Sequence, residues 1–155
     1  MPTISRIFIK SGLLFMVASL VVALGASAGD MLGLPGWVVG LRSTYFHLFT
    51  VGWITQIIFG VALWMFPGWS RKKPRGPAWL GWSCFAALNG GLLLRFASET
   101  AFAAGHHGGL WSWMMTAAAI LLVAAAMLFA AAVWPRLKSR EKRRRQAKKR
   151  RQDDA

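Results

Sequence analysis

Cysteine, acidic residues and histidine are all scarce in this sequence. Cys84 is the single cysteine among 155 residues, which excludes an intrachain disulfide framework and a cluster of thiolate metal ligands. Cys84 lies inside an apolar segment, and this position favours a small packing residue over a reactive thiol. Asp and Glu together number 5 against 19 Lys and Arg, so the formal net charge is +14.

Apolar residues, in contrast, are abundant. The chain is 55% hydrophobic and contains nine tryptophans. A soluble domain of this length cannot hide so much apolar surface from water. The apolar residues also fall in long blocks, separated by short basic or glycine-rich stretches. This distribution is typical of a protein that crosses a membrane several times.

Four apolar segments are long enough to span a hydrocarbon core, which takes about 20 helical residues. Each must be helical, because a backbone amide that faces lipid needs a partner within its own segment. Proline and glycine mark the breaks between segments. The sequence therefore predicts an all-α membrane protein, a bundle of four transmembrane helices at about 7–28, 43–66, 77–97 and 110–134.

The distribution of charge predicts how the bundle is oriented. Eleven of the 19 basic residues follow Trp134, and four more lie in the second connection, at 71–75. An excess of Lys and Arg marks the cytoplasmic side, so we expect both termini to be cytoplasmic, as an even number of spans requires. The expected location is a bacterial-type inner membrane. Five tryptophans near segment ends fit an aromatic belt: Trp37, Trp69, Trp79, Trp111 and Trp134.

The first segment has a second interpretation. Residues 1–28 have a basic start, an apolar run and a small-residue ending at Ala28, as a signal peptide does. The run after Lys10 is longer than the usual signal core, so we favour a retained helix. Cleavage would leave three spans.

The basic tail, residues 136–155, has too few apolar residues to bury a face and is expected to be flexible in isolation. The favoured interpretation is a topology anchor lying against anionic lipid. A second interpretation is docking onto an acidic partner. Nucleic-acid binding is disfavoured, because the tail has no aromatic residue for stacking on bases.

The three histidines and one arginine are expected at one depth, near the outer face. His47 opens the second span, Arg95 closes the third with Glu99 one turn later, and His106 and His107 lie in the next loop. Ionisable groups in a membrane are costly and mark a pathway, a ligand site or an ion pair.

Three interpretations of these residues stay open. Two imidazoles could ligate a heme iron while Arg95 binds the propionates. The histidines, with Glu99, could instead hold copper or zinc. In a purely structural interpretation, His47 hydrogen-bonds a neighbouring helix, Arg95 pairs with Glu99 at i+4, and the histidine loop is simply hydrated.

Polar and small residues deeper in the spans predict helix packing. Gln56 and Asn89 are expected to hydrogen-bond between helices. On an ideal helix Gln56 is half a turn out of phase with His47, so the two are not expected to share a face. Gly52 and Gly60 permit close approach of another helix or of a flat ring, and the helix is favoured.

The stretch HLFTVGWITQIIFGVALWMFP, with His47, Gly52, Gly60 and Pro67, resembles the second helix of heme-copper oxidase subunit I relatives. The similarity is to the large subunits of cbb3-type oxidases and nitric oxide reductases and to short proteins that resemble them. LNGGLLLRF, which contains Arg95, resembles the following part of those short relatives. The resemblance implies that His47 is an axial ligand of a low-spin heme b near the outer face.

The same resemblance limits the function that can be carried over. The full-length family has a dozen or more helices, and later ones carry its second axial histidine and its catalytic metal ligands. Residues matching these are missing here, so oxygen or nitric oxide reduction is not expected. The second heme ligand would be His106, His107, or His47 of another copy in a homodimer.

Three functions therefore remain after the sequence analysis. The first is a small b-heme protein of respiratory or other electron transfer. The second is a cofactor-free accessory subunit that docks a larger membrane complex through its helices and basic tail. The third is an outer-face metal site for copper or zinc handling.

Overall fold

The structure is a computed structural model that describes residues 1–29, 31–66 and 77–153, with backbone alone for 138–151 and 153. All regular secondary structure in these residues is helical. The helices are α1 (Thr3–Ala28), α2 (Gly36–Val39), α3 (Arg42–His47), a π-helical segment (Leu48–Thr55), α4 (Gln56–Met65), α5 (Ala78–Ala103) and α6 (Gly109–Asp153). The predicted all-α class is confirmed.

Four of the described helical stretches are long and apolar enough to cross a membrane: Thr3–Ala28, Gly36–Met65, Ala78–Ala103 and Gly109–Leu137. The second combines α2, α3, the π segment and α4. These match the four predicted segments, although each extends beyond the predicted bounds at one or both ends. The predicted basic cluster at 71–75, together with Trp69, lies outside the described residues.

The helices alternate in direction, and this arrangement gives the bundle two distinct ends. A Cβ on Gly81 would lie 3.3 Å from Ile4 Cγ1, so α1 and α5 begin side by side. At the same end, Arg136 Nη1 donates to the carbonyl of Leu63 at 3.0 Å. We call this the Arg136 end. The opposite end, where Ser43 of α3 contacts Glu99 of α5, is the His47 end.

Aromatic rings form the centre of the core. Phe8 of α1 is fully buried and lies edge-on to Phe59 of α4 and Phe85 of α5. Phe59 in turn stacks on Phe129 of α6, with 3.7 Å between ring centroids. One chain of ring contacts therefore joins all four spans. Cys84 belongs to this core at 1% exposure, as predicted for a packing residue.

Two glycines of the second span let α1 approach closely. A Cβ on Gly52 would lie 2.9 Å from Phe15 Cβ, and a Cβ on Gly60 would lie 3.0 Å from Phe8 Cβ and from the Ser5 carbonyl oxygen. Real Cβ atoms essentially never lie as close as 2.9 Å to such an atom, and 3.0 Å is tighter than nine in ten real contacts. The space that these glycines leave is therefore filled by another helix, which was the favoured prediction.

Helices α5 and α6 continue beyond the predicted segment ends. Arg95 and Glu99 were expected at and just after the end of the third segment, but α5 runs to Ala103 and contains both. The chain then turns at Gly105, whose φ of +85° suits glycine alone. Helix α6 passes through Pro135 and continues to Asp153, so the backbone of the predicted flexible tail is an extension of the last span.

Candidate cofactor site at the His47 end

His47 is the last residue of α3, and one nitrogen of its ring, Nδ1, contacts two neighbouring acceptors. Its Nδ1 lies 3.0 Å from the Ser43 carbonyl oxygen and 3.3 Å from Glu99 Oε1. Both neighbours are hydrogen-bond acceptors, so Nδ1 carries the proton. In a neutral imidazole, Nε2 then presents a lone pair. Within the described part of the chain Nε2 has no partner, and the His47 side chain is 30% exposed.

Glu99 is the acceptor on which three side chains converge. Its Oε1 lies 3.0 Å from Arg95 Nε and 3.2 Å from Ser43 Oγ, in addition to His47 Nδ1. The Glu99 side chain is only 8% exposed, and a buried carboxylate requires such compensation. Its second oxygen, Oε2, is buried and makes no hydrogen bond to the described residues. The structural interpretation predicted both contacts of the ionic group, His47 to a neighbouring helix and Arg95 to Glu99, and both are confirmed.

Arg95 uses only part of its guanidinium group in this arrangement. The Nε atom pairs with Glu99, while the two terminal nitrogens have no partner within residues 1–29, 31–66 and 77–153. The side chain is 22% exposed. Arg95 therefore both neutralises Glu99 and offers free donors to an anionic group at this end of the bundle.

His106 and His107 lie in the exposed loop between α5 and α6. The ring of His107 rests against Phe102, with 5.7 Å between centroids, and the backbone N–H of His106 donates to the Ala101 carbonyl. Neither imidazole contacts His47. Among the described residues, no group of three His, Cys, Asp or Glu side chains is placed to share a metal ion.

A second polar layer lies deeper in the bundle. Gln56 Nε2 donates to Asn89 Oδ1 at 3.2 Å, and Ser11 Oγ donates to the same oxygen at 3.0 Å. Asn89 Nδ2 donates to the Phe85 carbonyl of its own helix. Gln56 is fully buried. The predicted interhelical bond between Gln56 and Asn89 is confirmed, and Ser11 adds α1 to it.

The prediction that His47 and Gln56 point to different faces is wrong. His47 contacts Glu99 and Gln56 contacts Asn89, so both side chains face α5. The reason is the π-helical segment between them, Leu48–Thr55. A π-helix bonds i to i+5 and takes more residues per turn than the roughly 3.6 of an α-helix, so it brings Gln56 back to the face of His47.

No protein-family model, curated protein or solved structure matches the chain. The resemblance to heme-copper oxidase subunit I thus rests on the His47 stretch and on LNGGLLLRF, and it stays a prediction. The proposed function therefore depends on the positions of His47, Glu99 and Arg95 in the structure.

The structure adds two features that the sequence analysis missed. Ser43 belongs to the site because it precedes His47 by four residues and so lies on the same face of the helix. This spacing could have predicted its position from the sequence. The other is a cavity of about 480 Å³ between α1 and α3, lined by Ala23, Ala26, Ser27, Val39, Arg42, Tyr45 and Phe46. Nothing in the order of these residues along the chain indicated it.

Proposed function

We propose that this chain is a multi-pass inner-membrane protein that binds b-type heme through His47 and serves electron transfer, with both termini cytoplasmic. One observation carries the proposal. Nδ1 of His47 is fixed by the Ser43 carbonyl and by Glu99, while Nε2 has no partner among the described residues. Metal-ligating histidines have this arrangement, because a bond at one nitrogen sets the tautomer and orients the other.

The surrounding residues fit a heme on the surface of the bundle better than inside it. Phe15 and Phe8 occupy the space beside Gly52 and Gly60, so a flat ring cannot fit there. At the partly exposed His47, by contrast, Nε2 is accessible, and the terminal nitrogens of Arg95 could bind a propionate. The second iron ligand would be His106, His107, or His47 of another copy.

Each residue would then have a distinct role. A bound heme would supply one-electron transfer. His47 would hold the iron, and Glu99 would keep the imidazole oriented and its Nδ1 proton in place. Arg95 would bind a propionate while balancing the charge of Glu99. Ser43 supports both partners, through its carbonyl to His47 and its hydroxyl to Glu99.

The test is heme content in full-length protein expressed with ample heme. We expect a b-type reduced-minus-oxidised spectrum and about one heme per chain, or one per two chains, in a pyridine hemochrome assay. His47→Ala should remove the signal without changing the folded yield. His106→Ala and His107→Ala, made separately, identify the second ligand. Wild-type protein without heme, or a full heme content in His47→Ala, would refute the proposal.

The second candidate is a cofactor-free accessory subunit of a larger membrane complex. The observation in its favour is that His47, Arg95 and Ser43 already share one carboxylate, as side chains in a purely structural site do. Helix α6 continues past the last span as a long basic helix, on which a partner protein could dock. Loss of the associated complex on truncation of 138–155, with heme absent throughout, would favour this function.

A further inference from the structure

The cavity between α1 and α3 lies at the same end of the bundle as His47 but is a separate feature. Its volume of about 480 Å³ falls in the range of small-molecule sites. The α1 wall consists of the small residues Ala23, Ala26 and Ser27, whereas Arg42, Tyr45 and Phe46 form the opposite wall. His47 is not among the lining residues, because it faces α5.

Three polar side chains line this cavity and have no hydrogen-bond or ionic partner among the described residues. Arg42, Tyr45 and Ser27 make no side-chain hydrogen bond or ion pair within the described part of the chain. A guanidinium and two hydroxyl groups are all hydrogen-bond donors. Among the described residues that line the space there is no carboxylate, so these converging donors favour an anion.

The charges at this end of the bundle also favour an anion in the cavity. Arg95 is paired with Glu99, so its charge is compensated. Arg42 has no such counter-charge in the described residues. A guanidinium presents its donors in a fork that matches the oxygens of a phosphate group.

An apolar path leads away from the cavity along α1. Leu20, Ala23 and Ser27 lie three and four residues apart, so they share one face of the helix. Leu20 is 51% exposed and Phe46, on the other wall, is 52% exposed. A ligand with an anionic head in the cavity could therefore lay a hydrocarbon chain along this face.

We propose that this cavity binds a phosphate group, and that its source is the head group of an anionic phospholipid. Arg42 binds the phosphate oxygens, Tyr45 and Ser27 donate to them, and an acyl chain runs past Leu20. This site is distinct from the basic tail, because the tail leaves the bundle at the Arg136 end.

The experiment uses full-length protein in nanodiscs of phosphatidylcholine with a minor fraction of phosphatidylglycerol, and it counts co-bound lipid by native mass spectrometry. Arg42→Gln should reduce bound phosphatidylglycerol about tenfold, because a hydrogen-bonded charge is lost. Ala26→Phe should reduce it similarly by filling the cavity while leaving the charge unchanged. Lys10→Gln is the matched control, since it removes an equal charge from an exposed position on α1 and should retain the lipid.

Two results would overturn the proposal. Equal loss of lipid in Arg42→Gln and Lys10→Gln would mean a general attraction of anionic lipid to a basic protein. The second result is binding of orthophosphate to the protein in discs of pure phosphatidylcholine, with the same dependence on Arg42. The ligand would then be a soluble phosphate and not a lipid head group. Heme content is measured in the same samples, so failure here is distinguishable from failure of the proposed function.

Discussion

His47 and Glu99 meet across α3 and α5, with 3.3 Å between Nδ1 and Oε1. The contact joins two spans that are far apart in sequence and places an imidazole, a carboxylate and the Arg95 guanidinium in one group. Burial of Glu99 makes the group interdependent, because the Arg95 charge and the neighbouring donors compensate the same buried carboxylate. The Glu99 side chain is therefore the member whose loss should matter most.

Replacing Glu99 with glutamine should destabilise the bundle by about 1–3 kcal/mol. The amide keeps the shape of the side chain but removes the charge that Arg95 pairs with, and it places an NH2 group at the buried position of Oε2, which has no acceptor among the described residues. Unfolding by SDS in mixed micelles measures the change in the free energy of unfolding.

Thr100→Val provides the control for this variant. Thr100 is one residue further along α5, is half-buried, and its side chain hydrogen-bonds only the Phe96 carbonyl of its own helix. We expect little change in stability from it. Equal effects of Glu99→Gln and Thr100→Val would show that the ionic group does not stabilise the contact between α3 and α5.

Glycine-to-alanine substitutions should separate close packing from helix propensity. Gly52→Ala places a Cβ 2.9 Å from Phe15 Cβ, so we expect a loss of about 1–3 kcal/mol from overpacking. At Gly90 the nearest atom, Leu121 Cδ1, is 3.9 Å away. Gly90→Ala should therefore be neutral or stabilising by up to about 1 kcal/mol, since alanine favours the helix.

Thermal unfolding of the two variants in one detergent decides between these expectations. If Gly52→Ala were as stable as Gly90→Ala, α1 would not approach the second span as closely as the structure places it. The comparison needs no assumption about heme, because neither glycine belongs to the proposed ligand group.

The helices could be predicted from the sequence because their cause is local. Apolar length and the backbone's need for internal hydrogen bonds determine each span, and four blocks gave four spans. Their ends were harder to predict, because SETAFA after Arg95 is polar enough to look like a loop yet continues α5 to Ala103. The turn at Gly105 was the better stop signal.

The site was only partly predictable for a related reason. The pairing of Arg95 with Glu99 follows from the i+4 spacing within one helix, and it was expected. The shared face of His47 and Gln56 depends on the π segment, whose extra residue per turn leaves no clear signature in an apolar run such as LFTVGWIT. The assumption of an ideal α-helix therefore placed Gln56 on the wrong face relative to His47.

The amides of Gln56 and Asn89 should show energetic coupling. Asn89→Leu leaves Gln56 Nε2 and Ser11 Oγ without their shared acceptor, so we expect a loss of about 0.6–1.7 kcal/mol. Gln56→Leu should cost less, because Asn89 Oδ1 keeps its bond from Ser11 Oγ. The double variant should lose less than the sum, because the second substitution removes a group that the first left unpaired.

SDS unfolding of the two single variants and the double variant completes this cycle. Ser11→Ala serves as the milder comparison, since Asn89 Oδ1 keeps its bond from Gln56. Strictly additive losses would contradict a direct bond between the two amides.

The π segment should tolerate the loss of one residue. A π turn holds about one residue more than an α turn of the same rotation, so deletion of Val51 should return the segment to α-helix with little change in the direction of the residues before it relative to α4. Ser43 and His47 should then stay near Glu99, and Gln56 should keep its position beside Asn89.

Cross-linking by a short bifunctional thiol reagent measures both contacts in a Cys84→Ser background. The pair Ser43→Cys and Glu99→Cys should cross-link both in the full-length chain and after the deletion. The pair Gln56→Cys and Asn89→Cys should cross-link in both and reports that the bundle still folds. If the first pair were lost after the deletion while the second was kept, the π segment would not be a one-residue insertion that keeps His47 directed at α5. A loss of both pairs would instead mean that the segment is needed for the second span to pack at all, so the outcome at Gln56 decides between a local and a global role.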